Sequence, residues 1–194
     1  QEKLLKAILA TGAKLVNQTA NNFEFAEGKV VAVVTDKGIY NADTFILCAG
    51  YRSSMLAAQL GHRIQMIPAW GASVTFINPE VDLRMPFLIL SDGIAVTPSS
   101  AGLRISRLLQ VGGAGNAKAM IAALIDQAKR LFGDFKYTDI VTYAGPRPLS
   151  ADSLAFLGAD PAHDNLYHNY GHGHWGLTQA AISAQIISDL VLGL

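Results

Sequence analysis

Gly171, Gly173 and Gly176 stand between a strand pattern at residues 166–169 and a weakly charged helical run that reaches Leu192. That order constrains the chain more than any other feature. A strand that ends in a glycine-rich turn and feeds a helix leaves the helix's first N–H groups without intrahelical partners. The positive end of the helix dipole points the same way. The turn Tyr170-Gly171-His172-Gly173-His174-Trp175-Gly176 therefore builds a ready anion site. The helix behind it carries Gln179, Ser183, Gln185, Ser188 and Asp189. A membrane span needs about 20 predominantly apolar residues, so this segment reads as an amphipathic or buried helix.

Upstream, Leu4, Leu5, Ile8 and Leu9 recur at helical spacing and Gly12 follows as a C-cap. Brief β-like runs at 14–16, 23–25, 30–35 and 39–41 are divided by the turn signals Glu27-Gly28 and Asp36-Lys37-Gly38, which predicts a small antiparallel meander. The centre of residues 43–50 is apolar without polar alternation and predicts a buried strand. Gly50 ends it where the backbone must turn or approach something closely. A long strand pattern at 65–77, interrupted by Gly71, is followed by strands at 87–90, 94–97 and 103–111. A helix spans 117–132 with Met120, Ala123, Leu124, Ala128 and Leu131 on one face, and a strand follows at 137–143. This middle stretch reads as a mostly antiparallel sheet with one long helix, inserted as a lobe into another domain. Gly145-Pro146-Arg147-Pro148-Leu149 reads as a rigid extended turn, because each proline fixes φ and biases its predecessor away from helix. A short strand at 156–158 comes next.

Composition closes off several classes. The chain has 194 residues, 51% apolar and 15% charged, which is globular and long enough to bury a sizeable core. Formal net charge is zero, so no nucleic-acid partner is expected. The lone Cys48 rules out an intrachain disulfide and fits a cytosolic setting. Gly112-Gly113-Ala114-Gly115-Asn116-Ala117-Lys118 imitates a dinucleotide fingerprint, but Lys118 stands where the third glycine belongs and no acidic strand end follows about 20 residues on. It reads as a turn feeding a helix. His163, His168, His172 and His174 lack an accompanying cysteine or a Glu-x-x-His pattern. Asp160 and Asp164 fall in a proline-containing loop that reads as surface, with His163 solvated beside them. No metal is expected. No Gly-x-Ser-x-Gly elbow supports a serine hydrolase.

Three motifs occur in one order: residues 42–50 leading into 51–61; Gly145-Pro146-Arg147-Pro148 with Asp152 and Phe156-Leu157-Gly158; and residues 165–176 running into the last helix. Together they resemble the FAD-dependent D-amino-acid dehydrogenase, D-amino-acid oxidase and glycine oxidase family, the small-subunit-type bacterial dehydrogenase most of all. The resemblance covers almost the whole chain. It implies a mixed α+β and α/β fold: a partial glutathione-reductase-type FAD domain with an inserted, mostly antiparallel substrate domain. Residues 1–63, the meander and the buried strand, are then a partial FAD-binding domain, 64–143 the substrate-binding domain and 144–194 the return to the FAD-binding domain with its C-terminal helix. Implied with it are FAD as cofactor, a small-molecule amino acid or amine as substrate, and a parent that is cytoplasmic or peripherally associated with the inner membrane. The family's Gly-x-Gly-x-x-Gly βαβ unit has no counterpart here, and the chain opens on Gln1 rather than Met. A missing N-terminal FAD-binding segment or partner chain is therefore expected to complete the site, and residues 1–194 alone are expected to be inactive.

The resemblance also assigns residues. Arg147 matches the family's substrate-carboxylate arginine; a planar guanidinium binds a carboxylate bidentately and so fixes an amino acid's orientation. By residue type alone Arg147 could equally pair an acid or backbone carbonyls. His174 stands where some relatives face the substrate, and is assigned with Arg147 to the catalytic set. Gly171, His172, Gly173, Trp175, Gly176 and Leu177 match the segment that wraps the flavin ring, and Ala49 and Gly50 a strand end passing close to the cofactor. Two departures bear on the pocket: Pro68-Ala69-Trp70-Gly71 carries Trp70 where relatives often have a basic residue, and Gln110 stands where they often have Glu.

Overall fold

Helix α1 (Glu2–Ala10) opens the chain, and none of its residues is buried. The computed structural model describes residues 2–111 and 115–194; residues 112–114 of the glycine run before α3 lie outside them. Strands β1 (Ala20–Ala26), β2 (Lys29–Thr35) and β3 (Ile39–Asn41) form the expected antiparallel meander. Glu27 and Gly28 both take positive φ (51° and 76°) between the paired Ala26 and Lys29. That is the geometry of a two-residue hairpin whose twist matches the strands. The expected strand at 14–16 does not form. Leu15 and Val16 are exposed, and the strand that pairs with β2 starts only at Ala20.

Strand β4 (Phe45–Leu47) runs parallel to β11 (Leu166–Tyr170), which pairs antiparallel with β10 (Phe156–Ala159). β4 is half-buried rather than fully so: Phe45 and Leu47 face inward while Ile46 is exposed. A 3-10 turn (Gly50–Arg52) and helix α2 (Ser53–Gln59) follow it. One core gathers Phe23, Val30, Phe45, Leu47, Leu56, Leu166 and Tyr170 around this small sheet.

The second core lies under a five-stranded antiparallel sheet whose order is β6 (Phe87–Ile89), β7 (Ile94–Ser99), β8 (Gly102–Val111), β5 (Met66–Ile77) and β9 (Asp139–Ser150). Helix α3 (Ala117–Phe132) covers one face of it. The Asn116 side chain accepts from Ala119 N–H at 3.1 Å and caps the helix start. Met120, Leu124 and Ala128 bury against Val74, Phe76, Val96 and Ile105, while Ala123, expected on that face, is exposed. Gly71 does not break β5; it marks an irregularity in the register between Trp70 and Ala72, a common use of glycine in strands.

The stretch expected to be an extended turn is instead strand. β9 runs unbroken from Asp139 to Ser150, with Pro146 opposite Trp70 and Pro148 opposite Pro68. β9 is the edge of its sheet, and proline, lacking an N–H, is tolerated there. Helix α4 (Gly176–Leu192) closes the fold, ended by Gly193 in the left-handed region. Only Ser183 and Ile187 of α4 are buried, so of the two readings, amphipathic or buried, the buried helix is not met within this chain. No described helix is long and apolar enough to cross a membrane.

Candidate functional site

Cross-strand partners in a sheet share a face, and the register of β5, β8 and β9 therefore sorts their side chains. Val74, Phe76 and Ile105 point to α3. On the opposite face lie Tyr143, Gly145 and Arg147 of β9, with Ser73, Gly71 and Ala69 opposite them on β5 and Ser106 and Arg104 beyond on β8. The two glycines make room. A Cβ at Gly71 would collide with the Arg147 guanidinium, and one at Gly145 would sit against the Tyr143 hydroxyl. Arg147 thus lies across the bare backbone of its neighbour, and Tyr143 folds over Gly145 beside it. Arg104 donates to the buried Ser73 Oγ at 3.2 Å. Burial lowers the pKa of Arg147; Tyr143 opposes it in part, and the nearby Arg104 charge adds a smaller lowering. A half-buried cation in that setting gains from an incoming anion.

The glycine turn docks against this strand. Gly173 N–H donates to Pro148 O at 2.9 Å, and His172 bridges to Leu149. The backbone of the turn is therefore fastened one residue from Arg147. Gly171 and Gly173 take positive φ (84° and 55°), which glycine alone enters without strain, and a Cβ at Gly171 would press on the Phe156 ring. His172 Nε2 lies 2.9 Å from Ser183 Oγ, tying the turn to α4. Burial lowers the His172 pKa, favouring the neutral ring. Trp175 sits at the N-cap of α4 without a capping side-chain hydrogen bond, so the first amides of the helix have no side-chain acceptor from that position. Trp175 (60% exposed) and Leu177 (85% exposed) stand beside them. An uncapped helix start flanked by exposed apolar groups fits a flat heteroaromatic ring with carbonyl oxygens. His174 is exposed and meets Trp175 edge-on.

The other strand end joins the same region. Gly50 takes φ 58°, and the Gly50–Arg52 turn packs against both β9 and β5. Ala49 lines a cavity of about 650 Å³ with Gln18, Thr19, Tyr51, Arg52 and Met55. Arg147 and residues 171–173 are thus brought together at the end of β9. Nothing in the sequence flags Tyr143 or Arg104, and Gly71, marked there as a strand interruption, gives no sign that it faces Arg147; these roles arise from register across three strands.

A different cluster corrects the expectation for the 160–164 loop. The Asp160 carboxylate is fully buried, not on the surface. Its Oδ1 accepts from Ala162 N–H, His163 N–H and His163 Nδ1, each at 2.9 Å. Its Oδ2 lies 2.5 Å from His62 Nε2 and 2.8 Å from His168 Nε2. Burial raises its pKa, but the Ala162 amide and the three imidazoles outweigh that and hold the carboxyl well below the usual carboxylate range. His163, expected to be solvated, has a side chain only 14% exposed.

An arginine on the open face of an antiparallel sheet is thus pinned to a glycine-rich strand–turn–helix unit. Residues 2–190 match the DAO model, described as FAD dependent oxidoreductase, and the chain belongs to that family. It is 30% identical over 191 residues to a D-amino-acid oxidase of Bradyrhizobium diazoefficiens, covering 95% of this chain and 45% of that protein. A D-amino acid dehydrogenase of Paramagnetospirillum magneticum is 33% identical over 173 residues, covering 85% of this chain and 40% of that protein. The chain therefore spans less than half the length of these curated relatives. The crystal structure of a glycine oxidase from Bacillus cereus shares the fold, with a TM-score of 0.80 at 20% identity over 99% of this chain and 55% of that one.

Proposed function

We propose that this chain is the C-terminal part of an enzyme that oxidises the C–N bond of a D-amino acid or related amine. One observation carries the proposal: the Gly173–Pro148 hydrogen bond and the His172–Leu149 bridge fasten the glycine turn one residue from Arg147. The site that orients a carboxylate and the site that receives a flat cofactor thereby become one site. FAD, when bound, would supply the acceptor for the hydride that leaves the substrate's α-carbon, with the amine proton released to solvent. The rest falls to the protein. Arg147 holds the substrate carboxylate in two parallel N–H···O bonds and sets the facing carbon. Gly171, His172, Gly173, Trp175, Gly176 and Leu177 border the ring, and the first amides of α4 stabilise negative charge that develops there. Neutral His172, anchored on Ser183, holds the turn rigid. Ala49 and Gly50 approach the cofactor from the second strand end, and His174 sets polarity on the substrate side. The two cores serve as the FAD-binding lobe and the inserted substrate lobe.

The ADP half of FAD is assigned to a segment outside residues 1–194, or to a partner chain. Support comes from apolar surface left uncovered on the FAD-binding side: Leu4, Leu5, Ile8 and Leu9 of α1, Ile46 of β4, and Ile182, Ile186 and Leu190 of α4 are all exposed. Exposed apolar groups clustered on helices mark surfaces that another element covers. The test is a comparison of flavin content. The full-length parent is expected to purify yellow with stoichiometric FAD and to turn over D-amino acids with an artificial electron acceptor. Residues 1–194 alone are expected to purify colourless. Stoichiometric FAD on the 194-residue chain, or a colourless and inactive parent, would sink the proposal.

A further inference from the structure

We propose that His62 Nε2, His168 Nε2 and Asp160 Oδ2 form a binding site for a divalent transition-metal ion, with zinc the simplest occupant. The three ligand atoms all lie within 4.8 Å of one another, on elements far apart in sequence. His62 follows α2 at the entrance to β5, Asp160 follows β10, and His168 lies on β11. Two imidazoles and one carboxylate are a donor set for zinc and its neighbours in the first transition row. Three protein ligands leave one position of a tetrahedral ion for water or an added ligand.

Several features make the cluster a built site. Asp160 Oδ1 is already fixed by two amides and His163 Nδ1, so Oδ2 is presented in a set direction, as ligating carboxylates usually are. Both Nε2 atoms aim at that oxygen. A cavity of about 370 Å³ borders the two histidines, lined by His62, Arg63, Phe156, Pro161, His168 and Tyr170. Two buried polar atoms of its lining residues, His168 Nδ1 and Tyr170 Oη, have no hydrogen-bond partner among the described residues. His168 and Tyr170 are 8% and 2% exposed. A buried polar group without a partner costs stability, and an ion with its bound water places new donors and acceptors against that wall. Ligand atoms around a tetrahedral zinc, bound at about 2.0–2.1 Å, stand roughly 3.3 Å apart. The present His–Asp separations of 2.5 and 2.8 Å need to open by about 0.8 and 0.5 Å respectively. The entering ion displaces the two Nε2 protons now directed at Oδ2. Each proton moves to its ring's Nδ1 or to buffer. The ion then clips the segment that enters β5 to the β10–β11 hairpin, through a strand that runs on into the glycine turn, and none of its three ligands is a residue assigned above to substrate or flavin.

The experiment uses the full-length parent, stripped with a chelator and titrated with zinc chloride, and with cobalt(II) as a spectroscopic substitute. The expected result is one ion per chain, a rise in thermal midpoint with zinc, and the intense visible bands of four-coordinate cobalt. His62 is on the edge of the cluster with a side chain 22% exposed, so His62→Gln keeps a donor to Asp160 and the fold. It is expected to weaken zinc binding about tenfold or more. His174→Gln, an exposed histidine elsewhere, is expected to bind as wild type does. No zinc bound above the chelator-treated background would overturn the proposal, and so would unchanged affinity in His62→Gln. Flavin content, read in parallel, keeps failure here separate from failure of the oxidoreductase assignment.

Discussion

Gly71→Ala tests the carboxylate-binding role of Arg147 without touching Arg147. The added methyl would occupy the space of the guanidinium, meeting Nη1, Cζ and Nη2 of that one side chain. Gly71 does not need its conformational freedom, since its φ lies outside the left-handed region, so alanine fits the strand backbone. The obstacle is the far end of a flexible side chain, which moves while the sheet stays. Displaced guanidinium cannot settle toward β8 without approaching Arg104, a like charge. The displacement removes a charge-assisted hydrogen-bonded pair with the substrate carboxylate, about 1.5–3 kcal/mol. At about 1.4 kcal/mol per decade, kcat/KM for a D-amino acid falls roughly 10- to 150-fold. The thermal midpoint of the full-length enzyme hardly moves. The assay is steady-state turnover with an artificial electron acceptor, run on an amino acid and on the amine that lacks its carboxylate. A loss on the first substrate and none on the second is expected. Equal losses on both, or kcat/KM within twofold of wild type on the amino acid, would refute the reasoning.

Three further outcomes follow from the same structure. Burial lowers the folded-state pKa of His172, so the unfolded chain takes up a proton first as pH falls below about 6.5. Stability from this group is present above that pH and is lost below it; thermal melts across that range should be flatter for His172→Asn than for wild type. Asn116→Ala removes the cap on Ala119 N–H and should cost about 1 kcal/mol in chemical denaturation. Phe76→Ala, at a position 1% exposed in the larger core, should cost about 3–5 kcal/mol by the same measurement; under about 1 kcal/mol would mean that α3 does not pack as described.

Local signals in the sequence locate most elements. The helix expected at 117–132 is α3, residue for residue, because its apolar residues recur at helical spacing. The Glu27-Gly28 hairpin is legible for a similar reason: only certain residues tolerate its dihedral angles. The prolines at 146 and 148 mislead because proline usually breaks strands, and a sequence does not say which strand will be an edge. Long-range geometry is out of reach as well. Arg147 and Gly71 are brought together across a strand pair, and His62 meets Asp160 across 98 residues, so no spacing rule connects either pair. The burial of Asp160 runs against its local sequence, because a carboxylate beside a proline usually faces water; here three imidazoles and two amides replace that water. The apolar run of α4 is legible, but its burial depends on what covers it.

The most direct measurement is anaerobic reduction of the bound flavin in the full-length parent, wild type against Arg147→Met, followed by loss of flavin absorbance on mixing with a D-amino acid or its decarboxylated amine. Wild type is expected to bleach rapidly with the amino acid. Arg147→Met, with its flavin still bound, should need about tenfold or more amino acid for half-maximal rate, while its reaction with the amine is unchanged. If Arg147→Met bleaches with the amino acid as wild type does, Arg147 does not seat the substrate and the site has been placed on the wrong face of the sheet.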